Sequence, residues 1–164
     1  MKKILLLSTG GTFNKIYNPL NGQLEVDPHS TSLHRLLEHW QTDYPIQSIL
    51  GKDSLEMYDR DRHTLLEAIR NAQEEAIVVI HGTDTMDLSA AVIATAQLPK
   101  RIVFTGAMIP WSIDPVEATA NLASAIGYAQ SLEKDGVYLA MNGQFGTHLE
   151  VIKDRAAGRF VRVR

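Results

Sequence analysis

No cysteine occurs among the 164 residues. Disulfides and thiolate nucleophiles are therefore excluded, and the composition suits a reducing, cytoplasmic compartment. No apolar stretch approaches the ~18 residues that a membrane span requires. The N-terminal run Ile4–Leu7 is only four aliphatics long; it is too short for the core of a signal peptide and reads as a first strand. An excess of one charge is also lacking. Lys and Arg number 16 against 19 Asp and Glu, a net charge of −3, which leaves no basic footprint for nucleic acid or an anionic membrane. His29, His34 and His39 recur every five residues, not at the spacing that aligns two side chains on one helix face. Neither a metal nor a cofactor is expected.

What is present is an ordinary globular mixture, 45% hydrophobic and 21% charged, in a length that suits a single domain expected over residues 1–164. Short aliphatic runs at Ile4–Leu7, Ile77–Ile80, Ile102–Phe104 and Val137–Met141 read as buried strands. Ile46–Leu50 reads as a weaker one. Helical spacing of apolar residues fills Leu33–Trp40, His63–Glu75, Asp87–Gln97 and Glu117–Leu132. Strands alternating with helices predict an open, mostly parallel α/β sheet with helices on both faces, of the flavodoxin-like kind. Asn14–Ser32, punctuated by Asn18-Pro19, Asn21-Gly22 and Asp27-Pro28, is expected to be a long irregular loop of the sort that serves as a lid.

In such sheets ligands bind at the carboxyl ends of the strands. The residues there are Gly10-Gly11-Thr12, His81-Gly82-Thr83-Asp84-Thr85-Met86, Thr105-Gly106-Ala107-Met108 and Asn142-Gly143. Hydroxyls, glycines and one acid thus converge on one edge. The glycine pair fits no phosphate template, because it lacks both the P-loop spacing and the third glycine of a dinucleotide turn. Alone it is a tight strand exit. Alone, too, Asp84 reads as a helix N-cap, Lys153 as a solvated surface lysine, and His81 as a structural histidine at a strand end.

Thr9-Gly10-Gly11-Thr12 together with His81-Gly82-Thr83-Asp84-Thr85-Met86 resembles the two signatures of the bacterial-type L-asparaginases and glutaminase-asparaginases. Asp53-Ser54-Leu55-Glu56-Met57 is similar to that family's D-S-S-D-M stretch, and Gly106-Ala107-Met108-Ile109-Pro110 to its G-A-M-R-P. Glu117 four residues before Asn121-Leu122, and Lys153 after a strand and a loop, follow the same order. The resemblance implies the fold of the asparaginase N-terminal domain and hydrolysis of L-asparagine to aspartate and ammonia through an acyl-enzyme ester.

In that scheme Thr12 is the nucleophile, Thr83 with Lys153 and Asp84 assists from the other side of the amide, and Tyr17 polarises Thr12 when the lid closes. Gly11, Asp53, Ser54, Leu55, Gly82, Thr83 and Asp84 form the substrate-binding set. Ser54 and Asp84 take the α-carboxylate and α-amino groups. The residue types suit the chemistry, since a hydroxyl nucleophile needs a base and, without cysteine or paired histidines, a lysine is available.

The sequence departs from the family at Leu55, where a polar residue is usual, and at Ile109, where arginine is usual. No residue corresponds to the acidic group of the family's C-terminal domain, which is expected to be absent. A homo-oligomer, dimer or dimer of dimers, is expected, with the basic segment Arg155–Arg164 at an interface. Asparagine is favoured over glutamine by a small pocket bounded by Tyr17 and Leu55. Two alternatives stand beside this: a subunit supplying ammonia to a transferase, and an amino-acid-binding module without catalysis.

Overall fold

The computed structural model describes residues 2–163. In chain order, β1 (Ile4–Gly10) leads through a 3₁₀ turn (Thr12–Asn14) into β2 (Lys15–Asn18), β3 (Gln23–Val26) and α1 (Thr31–His39). Next come β4 (Ile46–Lys52), a second 3₁₀ turn (Ser54–Glu56), α2 (Asp59–Asn71), β5 (Ala76–Ile80) and α3 (Met86–Thr95). The remainder is β6 (Arg101–Thr105), α4 (Pro115–Ser131), β7 (Gly136–Met141), β8 (Gln144–Thr147), β9 (Val151–Asp154) and β10 (Arg159–Arg162).

Six strands form the main sheet in the order β4-β1-β5-β6-β7-β8, while β2–β3 and β9–β10 are separate two-stranded ribbons. Every pairing in the main sheet is parallel except β7 with β8. Both faces are covered, and the side-chain period of two divides each strand between two cores. Ile4 and Leu6 of β1, with Val78 and Ile80 of β5, pack against Leu33, Leu36, Leu122 and Ala125 of α1 and α4. Leu5, Leu7, Ile77 and Val79 point the other way, against Leu65, Ile69, Met86 and Ile93 of α2 and α3. α4 starts where it does because Asp114 accepts from the Val116 N–H (3.1 Å) and Pro115 occupies the first turn.

After β1 the chain moves to β4 on one side of it, then returns to lay β5 on the other. The crevice at this reversal, outside the ends of β1 and β5, is where such a sheet binds ligands. Gly11 lies there with φ 70° and ψ −176°, a conformation that is essentially glycine's own. A Cβ on it would sit 2.5 Å from the Gly82 nitrogen, and one on Gly82 would sit 2.6 Å from Ser54 Cβ. The exits of β1 and β5 and the turn after β4 are therefore packed backbone to backbone.

The differences from the sequence reading have local causes. Asn14–Ser32 is not wholly irregular: Tyr17 pairs with Leu24 and Ile16 with Glu25 in the β2–β3 hairpin. Its four-residue strands are mostly exposed and lack clean alternation, so periodicity does not reveal them. α2 begins at Asp59, four residues before His63, because Asp61 accepts from the Tyr58 N–H (2.8 Å) and stabilises a highly charged first turn. Lys153 follows β8 and a turn, as expected, and is itself inside β9, while Arg159–Arg162 of the basic segment form β10.

Gly11→Ala is expected to lose at least about 2 kcal/mol, from a disfavoured φ and a clash with backbone that cannot move aside. Gly127→Ala, inside α4 with nothing within 4 Å of the new Cβ, is expected to gain up to about 1 kcal/mol. Urea unfolding of the two variants measures both signs.

Candidate active site

β9 carries Lys153 to the exit of β5. Its Nζ donates to Thr83 Oγ1 at 2.9 Å and to Asp84 Oδ1 at 2.8 Å. Seventy residues separate Lys153 from Thr83, so only the fold creates this contact. The lysine side chain retains 12% exposure and the Asp84 side chain 35%, which makes the ion pair partly shielded. Thr83 is buried, and its hydroxyl lies within proton-transfer reach of a single amine. The Asp84 carboxylate does not cap α3; Thr85 occupies the N-cap position.

Ser54, buried after β4, ties the turns together. Its Oγ accepts from the Asp84 N–H (3.1 Å) and the Thr85 N–H (3.3 Å), while its carbonyl accepts from the Thr85 hydroxyl (2.9 Å). Asp53 pairs with Lys15 at 2.7 Å, which anchors the base of the β2–β3 hairpin beside Ser54. Burial opposes the Asp53 charge, but the Lys15 ammonium and the Leu55 and Ser54 N–H groups outweigh it and hold the carboxyl below its usual range. Thr12 is half-buried at the start of the 3₁₀ turn after β1. Gly11 before it and Gly82 are in backbone contact, so the Thr12 and Thr83 turns are neighbours.

Two predicted residues are not drawn in. Tyr17 is 62% exposed and Leu55 72% exposed, so neither bounds a closed pocket. The Tyr17 hydroxyl lies near the hairpin's own turn, 3.9 Å from a Cβ placed on Gly22. One residue that sequence reasoning missed is Arg155. Its guanidinium donates to the Asp84 carbonyl at 2.7 Å and approaches Asp84 Oδ1 at 3.4 Å. No spacing rule could have found it, since it reaches the site only through the turn of the β9–β10 ribbon.

Comparison with known proteins agrees with the fold. A family model described as "Asparaginase, N-terminal" matches residues 3–159. The chain belongs to the asparaginase family. It is 26% identical over 161 residues to an L-asparaginase of Thermococcus kodakarensis, covering 95% of this chain and 49% of that protein. It is 29% identical over 155 residues to a subunit of the glutamyl-tRNA(Gln) amidotransferase of Methanococcus maripaludis, covering 89% of this chain and 36% of that protein. Among solved structures, the thermostable L-asparaginase from Thermococcus kodakarensis superposes with a TM-score of 0.83 at 25% identity, over 98% of this chain and 51% of that one. A probable cytoplasmic L-asparaginase from Campylobacter jejuni shares the fold, with a TM-score of 0.79 at 24% identity, over 99% of this chain and 53% of that one. The chain thus spans between a third and a half of the length of the curated relatives it matches.

The family's histidine before the second glycine turn has a physical task here. His81 is fully buried; its Nδ1–H donates to the Gly82 carbonyl (2.7 Å) and its Nε2 accepts from the Ser89 hydroxyl (2.7 Å). It thereby holds the peptide that presents Thr83. Burial pushes the imidazole down to about 4. Between the unfolded-state value near ~6.5 and this one, the unfolded chain binds a proton that the native chain does not, so stability declines as pH falls through that window. The decline is expected to reach up to about 3 kcal/mol by pH ~4. Urea midpoints measured from pH ~7 to ~4 should show this slope in the parent and lose it in His81→Asn.

Proposed function

We propose that this chain carries the catalytic residues of an amidohydrolase that converts L-asparagine to L-aspartate and ammonia. The observation that carries the proposal is the bridge from Lys153 Nζ to Thr83 Oγ1 and Asp84 Oδ1, set at the topological reversal beside the turn that presents Thr12. Family membership and the L-asparaginase relative support the reaction class.

In this reading Thr12 Oγ attacks the side-chain amide carbon. The amide nitrogen gains a proton and leaves as ammonia, and water then splits the aspartyl ester and restores Thr12. N–H groups of the turns that present Thr12 and Thr83 are assigned to stabilise the developing oxyanion. Thr83, backed by Lys153, accepts and returns the proton. Asp84 orients that amine and offers Oδ2 to the substrate's amino group, since both neighbouring cations engage Oδ1. Ser54 and Asp53 address the α-carboxylate end. Tyr17 joins when the hairpin folds over the site.

The active assembly is proposed to be a homo-oligomer, dimer or dimer of dimers. Support comes from exposed large apolar side chains such as Leu88, Ile113, Val116 and Ile152. A cytoplasmic location is proposed from the lack of cysteine and from the Campylobacter jejuni neighbour, described as a probable cytoplasmic L-asparaginase. A second reading, a subunit that supplies ammonia to a transferase, is favoured by the amidotransferase relatives.

Ammonia release from asparagine and from glutamine tests the proposal. Lys153→Met is expected to lower kcat about 10²–10⁴-fold, the usual contribution of a positioned acid–base group. Thr12→Ala is expected to abolish the acyl-enzyme, seen as the missing mass adduct after acid quench. Wild-type rates in either variant would remove that residue from the mechanism. Release from glutamine alone, with none from asparagine, would favour the ammonia-supplying reading.

A further inference from the structure

We propose that Asn142, backed by Glu117, is the positioning residue for Lys153: it grips the β9–β10 ribbon from behind and sets the amine against Thr83 and Asp84. The inference rests on the proposed role of Lys153 and goes beyond it by naming what holds that side chain in place.

The ribbon needs holding. It is two-stranded and lies outside the main sheet, and a hairpin of that kind is marginal by itself. Val151 and Phe160 bury their side chains in the core beneath it, but apolar packing is non-directional and does not fix a position along the strand. Direction comes from a hydrogen bond. Phe160 lies directly opposite Lys153 in the antiparallel register, and its N–H donates to Asn142 Oδ1 at 3.1 Å. The N–H is therefore used outside the ribbon's own ladder, at the residue whose displacement would carry Lys153 with it.

Asn142 is itself immobilised. Its Nδ2 donates to Glu117 Oε1 at 3.2 Å, and its backbone N–H donates to Asn121 Oδ1 at 3.0 Å. The Glu117 carboxylate also accepts from the Met108 and Ile109 N–H groups, each at 3.0 Å, and from Asn121 Nδ2 at 3.2 Å. Asn121 Nδ2 reaches the Gly106 carbonyl at 2.9 Å. One carboxylate in the first turn of α4 thus braces the exits of β6 and β7 and, through a single amide, the strand beside Lys153.

The competing explanation for Asn142 is its turn. It has φ 50° and is followed by Gly143 at φ 74°, the geometry of the two-residue Asn-Gly hairpin loop that joins β7 to β8. That role needs only the backbone, and glycine fills it at least as well. Asn142→Gly therefore keeps the turn and removes the clamp.

The test is the rate at which acetic anhydride modifies individual lysines, followed by peptide mass spectrometry on the full chain. Lys100, buried and donating to the Ala72 and Glu74 carbonyls, serves as an internal reference for general loosening. In Asn142→Gly, modification of Lys153 is expected to rise about tenfold while Lys100 is unchanged, the effect of losing one hydrogen bond that holds a local element. Asn142→Asp, which keeps the acceptor for Phe160, should fall between the two. With asparagine as substrate, kcat of Asn142→Gly is expected to fall about tenfold with KM within about twofold. Unchanged Lys153 modification, or a rise at Lys153 and Lys100 together, would overturn the proposal. A selective rise at Lys153 in Asn142→Gly, together with a parent chain that releases no ammonia, would leave the clamp standing and remove the amidase reading instead.

Discussion

Gly11 and Gly82 meet backbone against backbone, with Ser54 pressed on the far side of Gly82. Each of these residues follows a different strand, and the three strands are the ones around which the chain reverses direction in the sheet. A side chain at either glycine would drive the loops apart. Because none intervenes, the Thr12 turn, the Thr83–Asp84 turn and the Ser54 turn pack into one floor at the end of the sheet. Serine rather than a larger residue after β4 completes this, since its hydroxyl accepts from both the Asp84 and Thr85 N–H groups.

Onto that floor the fold brings charge from elsewhere. Lys153 and Arg155 both reach Asp84 from the β9–β10 ribbon, and Lys15 reaches Asp53 from the β2–β3 hairpin. Exposed pairs of this kind add little to stability. Their consequence is geometric, because each tethers a two-stranded ribbon that belongs to no larger sheet. In the Lys153 pair the amine is the more shielded of the two lysines, 12% exposed against 25% for Lys15, and it lies 2.9 Å from the Thr83 hydroxyl. The neutral, buried His81 contributes no charge at all; it fixes a carbonyl, and with it the peptide that presents Thr83.

The parallel core was legible because its residues obey local rules. β1, β5, β6 and β7 are aliphatic runs buried on both faces, and α1, α3 and α4 carry apolar stripes within a few residues of their expected bounds. The start of α2 was hidden by a charged first turn held by Asp61, and β2, β3 and β8 by strands only four residues long. At the crevice, Thr12, Ser54, Thr83 and Asp84 were readable from strand exits and motif. Tyr17 was placed by motif too, yet its hairpin leaves the hydroxyl near Gly22.

The sequence by itself determined the alternation of strands and helices, the edge on which the candidate site residues converge and the family to which the chain is similar, because periodicity and turn chemistry act over neighbouring residues. The resemblance grouped Lys153 with Thr83 and Asp84; the tertiary structure decided by which atoms they meet and which further residues join them. The Lys153–Thr83 contact, the Arg155–Asp84 contact and the Asn142–Phe160 hydrogen bond join residues 70, 71 and 18 positions apart. They exist because β5, β7 and the β9–β10 ribbon end at the same place, which is a property of strand order and not of local pattern.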